Sequence, residues 1–80
     1  MQTENEKMRT RIEKDIKSFN ENLKNTKTGS IEMLKVVDIA KMYAQDAKSY
    51  LDKNDLYTSF SCISYAHGLL DAVKRMMGEE

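Results

Sequence analysis

The 80-residue chain contains no proline and only three glycines, so almost nothing in it can interrupt a helix. Gly29 and Gly78 fall where apolar periodicity stops, and only Gly68 lies inside a periodic run. Such a chain folds into a few long helices joined by short breaks. Its length supports one core and no more, which predicts a single helical domain over residues 1–80. The 40% apolar and 32% charged fractions suit a small helical domain better than a disordered tail.

Charge and cysteine content exclude several classes of function. Thirteen basic residues balance thirteen acidic ones, so a protein built to neutralise nucleic-acid phosphates is not expected. One cysteine cannot form an internal disulfide, and one histidine beside it cannot make a standard zinc site. Neither a metal nor a cofactor is expected. There is no apolar run of about 18 residues, and the start MQTENEKMRT lacks the features of a signal peptide. The expected location is the cytoplasm, with no membrane contact.

Three helices can be read along the chain, over residues 3–25, 31–53 and 55–77. In the first, Thr3-Glu4-Asn5-Glu6 has the spacing of a capping box. Met8, Ile12, Ile16, Phe19 and Leu23 then recur every three or four residues, forming a narrow seam about 80° wide. The segment Asn25 to Gly29 ends this helix, and Ser30 is placed to cap the next. The second helix carries a central line of Met33, Val37, Ala40, Ala44, Ala47 and Leu51. Three alanines in that line permit close approach of a neighbouring backbone. Lys53-Asn54-Asp55 is a short polar break, so helices two and three should pack as an antiparallel hairpin. The third helix has an apolar arc about 220° wide, from Phe60 through Ile63 and Leu70 to Tyr65, Ala72 and Met76. That width calls for two neighbours. The fold class is therefore all-α, a three-helix bundle with helix one laid along the hairpin. Ile63, Leu70, Ala44 and Ala47 should form its centre, and Gly78 should cap its last helix.

The stretch from Ala40 to Gly78 also carries a resemblance. Met42-Tyr43, Asp46-Ala47, Tyr50-Leu51, Asp55, Phe60 and the string Ser64-Tyr65-Ala66-His67-Gly68-Leu69-Leu70-Asp71-Ala72 resemble an archaeal domain of unknown function, the family numbered 357. The likeness is dense over half of the chain and looser over the first helix. It implies an archaeal source and a three-helix bundle, and it brings no activity with it. Where that family has glycine in the second turn this chain has Asn54, a residue that tolerates the left-handed conformation.

Two clusters offer chemistry. His67 sits at the edge of the apolar arc with Asp71 one turn on. An i,i+4 pair of this kind can orient an imidazole, raise its pKa and serve a ligand site. The plainer reading is an edge histidine that hydrogen-bonds Asp71 or a group on helix one. Tyr43, Asp46 and Tyr50 share a shoulder of helix two, where two phenols beside a carboxylate can bind a cation or a basic segment; otherwise they cover the core edge. Tyr65 lies at the far side of the helix-three arc. Ser64, His67 and Asp71 do not make a hydrolytic triad, because the chain has no strained nucleophile turn and no oxyanion loop. No catalytic residue is therefore assigned. Gly68 in mid-helix costs about 1 kcal/mol relative to alanine, which close approach by helix one or by a partner would explain.

These observations lead to a non-catalytic helical module that docks a protein partner or forms a homodimer. The alternative is an accessory domain that binds a small molecule or nucleotide in a groove lined by His67, Asp71 and the tyrosines. The two differ in one geometric respect: the second needs both clusters in one pocket.

Overall fold

The computed structural model describes residues 2–78. Its elements are α1 (Glu4–Lys24), α2 (Ile31–Asp52) and α3 (Leu56–Met76), a three-helix bundle in which α2 and α3 form an antiparallel hairpin. Each helix starts at the residue whose side chain can accept the first free amides. Thr3 Oγ1 accepts from Glu6 N at 3.1 Å and Glu6 returns the bond to Thr3 N at 2.9 Å, a complete capping box. These bonds hold the Glu6 carboxyl below the usual carboxylate range. Ser30 and Asp55 cap α2 and α3 by accepting from Met33 N and Thr58 N.

The hairpin turn is closed by backbone bonds from Asp55 N to Tyr50 O at 2.9 Å and from Asn54 N to Leu51 O at 3.0 Å. This is the Schellman pattern, and it places Asn54 at φ 64, the left-handed conformation expected of it. At the end of α3 the cap is Met77, one residue earlier than expected. Gly78 follows at φ 78, in the left-handed position where glycine carries no penalty.

α2 and α3 share the most extensive interface, α1 and α3 the next, and α1 and α2 the least. The expected centre is closed to solvent: Ala47 and Ile63 are 0% exposed, Leu70 1% and Ala44 6%. The alanine line of α2 lets α3 approach so closely that Ser59 is fully buried, its Oγ donating to Ala47 O at 2.7 Å. α1 lies along one groove of the hairpin and buries Ile12, Ile16 and Phe19. Met8, expected to continue that seam, is 40% exposed. It lines an open notch with Arg11 and with Phe60 of α3 near the start of α1.

Two side chains fasten α1 to the hairpin by hydrogen bonds among the described residues. Arg9 Nη2 donates to Leu51 O at 3.2 Å and to Asn54 Oδ1 at 2.7 Å, so a cation from α1 meets the negative end of α2. The second contact is made by His67. The molecule remains long and thin, 45 × 21 × 15 Å, with a radius of gyration of 13.4 Å. A compact chain of this length would have a radius of about 12 Å. Its surface is 5694 Å², against about 5,000 Å² for a compact monomer of this mass. The fold leaves more surface open than its size requires.

Candidate functional site

His67 points from α3 toward α1. Its Nε2 lies 2.8 Å from the backbone oxygen of Asp15. A carbonyl only accepts, so Nε2 carries the proton and donates. Phe19 packs edge-on against the same ring, with centroids 5.7 Å apart and planes at 88°. The ring is half-buried, whereas Asp71 is exposed. No hydrogen bond or ion pair joins His67 to Asp71 among the described residues. The expected i,i+4 pair is therefore replaced by a bond to helix one, the second form of the plainer reading. The reason is rotational: on the wheel His67 lies about 40° nearer than Asp71 to the arc that α1 covers. Asp15 also pairs through its carboxylate with Arg11 at 3.7 Å.

This geometry predicts that His67→Gln destabilises the chain by about 1–2 kcal/mol, through the lost ring contact and a poorer bond to Asp15 O. Asp71→Asn, on the solvent side, should change stability by no more than about 0.5 kcal/mol. Urea midpoints of the two variants check both values.

The tyrosines belong to the opposite side of the hairpin. Tyr43 of α2 and Tyr65 of α3 meet across the helix pair, ring centroids 4.7 Å apart at an interplanar angle of 68°. Ile39 and Met42 on α2 and, about three turns farther along α3, Met76 are exposed, while Val36, Cys62 and Leu69 are half-buried. Tyr65 at 54% and Met76 at 57% exposure show that, beyond the Tyr43–Tyr65 contact, the far edge of the helix-three arc stays open to solvent among the described residues. Tyr50 continues the face toward the turn, where Lys53 Nζ sits 5.6 Å above its ring. Asp46 is exposed on the same shoulder. Burial and then the charges of Asp46 and Asp55 push the Cys62 thiol up, so both carboxylates act on the turn end of this face.

His67 and Tyr65 are about 160° apart around α3. The structure thus brings Tyr43 and Tyr65 together, with Asp46 and Tyr50 beside them, and sets His67 and Asp71 on other sides. The common groove expected of the alternative is not formed, because α1 fills the space in front of His67. Gly68 also departs from expectation: a Cβ built there meets nothing within 4 Å, so α1 does not require its smallness.

Sequence reasoning passed over Arg9, which ties α1 to the hairpin turn. The signal was its wheel position, about 20° from Ile16 on the seam of α1.

A three-helix bundle with one groove filled and the opposite apolar face open is the class of protein defined here. The chain belongs to the family described as "Protein of unknown function (DUF357)", whose profile matches residues 7–78. The match takes in nearly all of α1, well beyond the dense stretch on α2 and α3. No curated protein matches the chain.

Proposed function

We propose that this chain is a non-catalytic helical interaction module that docks another helical protein surface on the open face of its hairpin. One observation carries the reading: Tyr43 and Tyr65 meet across the hairpin and both stay exposed, with Ile39 and Met42 exposed on α2 and Met76 exposed farther along α3. Apolar patches rimmed by charge mark association sites, and tyrosine and methionine are enriched at the centres of interfaces. Two antiparallel helices present a shallow groove that fits the ridges of further helices. The excess of surface over that of a compact monomer points the same way. The reading includes a cytoplasmic setting in an archaeal host. The Ser64-to-Ala72 string supports the archaeal part. The charge-rich, disulfide-free composition supports the cytoplasmic part.

A photo-crosslinking residue in place of Tyr65 tests the reading in the native host. It should capture a defined protein, identified by mass spectrometry and then shown to bind in purified form. The same residue in place of Glu13, on the outer side of α1, should not capture it. Equal capture from both positions would overturn the docking face.

A further inference from the structure

Resting on that reading, we infer that the occupant of the open face is a second copy of this chain. The two copies pack face to face about a two-fold axis perpendicular to the helices, with α2 antiparallel to the partner's α2. The argument comes from where the charges around the face stand. On the wheel, Glu32, Lys35, Ile39, Tyr43, Asp46, Tyr50 and Lys53 occupy one arc of α2 about 80° wide. α2 spans Ile31–Asp52, so its centre lies between Lys41 and Met42. The Ser59–Ala47 bond and the Tyr43–Tyr65 contact set the hairpin register and put that centre level with Tyr65 and Ala66 of α3.

A two-fold axis through this centre gives full antiparallel overlap. Ile39 then falls within one residue of the level of the partner's Tyr43. Lys35 falls within two residues, about 3 Å along the axis, of the level of the partner's Asp46. Glu32 comes equally close to the partner's Lys53. These four charged positions of α2 come level with opposite charges, and apolar side chains meet at the centre. A two-fold parallel to the helices places Lys35 opposite the partner's Ala72 and Asp46 opposite its Ser61, leaving both without a counter-charge. The charge pattern selects the perpendicular axis.

One further feature agrees. Gly68, unexplained within the monomer, lies at the rim of the α3 face beside Ala72, where it lets the partner's α3 come close.

Sedimentation of the full chain is the test, with circular dichroism to confirm that each variant folds. The wild type should sediment at twice 9.3 kDa in the micromolar range. Tyr65→Asp should be monomeric. Lys35→Glu and Asp46→Lys should each weaken the dimer at least about tenfold, and the chain carrying both should regain it, because the reversed charges meet again. A wild type that is monomeric up to about 1 mM, the weak end of measurable affinity, overturns the second copy while leaving the docking face standing. A dimer indifferent to Tyr65→Asp overturns the second copy as the occupant of this face, and the crosslinking experiment then decides the docking face by itself. A dimer broken by Tyr65→Asp but not restored by the paired reversal overturns the perpendicular axis.

Discussion

Leu70→Ala is expected to cost about 2–5 kcal/mol, toward the upper part of that range. Leu70 is 1% exposed and lies between the α1-facing and α2-facing sides of α3, so it belongs to both interfaces of the bundle. Truncation removes a buried isopropyl group from both at once. In the register set by the Ser59–Ala47 bond, the buried α2 residues nearest the level of Leu70 are Val37 and Ala40, whose short side chains cannot swing into the space left behind. Domains of this size have little to spare, since 5–15 kcal/mol separates folded from unfolded states. A urea titration should show a large fall in midpoint with the slope preserved. An unchanged midpoint would show that Leu70 does not occupy the centre.

Phe19→Ala should have a comparable effect, about 3–5 kcal/mol, but of a different kind. Phe19 is one of the three buried side chains of α1, together with Ile12 and Ile16, and it also packs edge-on against the His67 ring. Its loss undoes the middle of the α1 seam while leaving the α2–α3 interface intact. Protection of α1 amides in native-state hydrogen exchange should therefore fall more than protection of hairpin amides. Equal loss over all three helices would show that α1 and the hairpin unfold as one unit.

Much of this fold was legible because it is written in local patterns. The capping box at Thr3, the cap at Ser30 and the left-handed Asn54 each depend on a few adjacent residues. The central line of α2 follows from periodicity alone. What was less legible depended on rotation between helices. Periodicity gives the width of an arc but not which part of it a neighbour covers. The wide arc of α3 was therefore read correctly as needing neighbours, yet Tyr65 and Met76 remain open. Likewise the spacing of His67 and Asp71 permits a pair, and only the placement of α1 gives the imidazole a backbone oxygen instead. Arg9 was missed for a related reason, since its partners are more than forty residues away in sequence.

The buried Ser59 hydroxyl has an effect that reaches well beyond its own energy. An interface of alanines against a helix is smooth, and by itself would tolerate sliding by a turn. Sliding α3 by one turn would carry Ser59 away from the Ala47 carbonyl and strand a hydroxyl in a dry interior, at about 1–3 kcal/mol. That penalty falls on the misaligned form alone, so the hydroxyl discriminates between alignments more than it adds to the favoured one. The alignment so chosen puts Tyr43 beside Tyr65 and fixes the height of every charged group along the outer edge. One polar atom in the interior thus reinforces the alignment that the short turn sets, and with it the layout of the exterior.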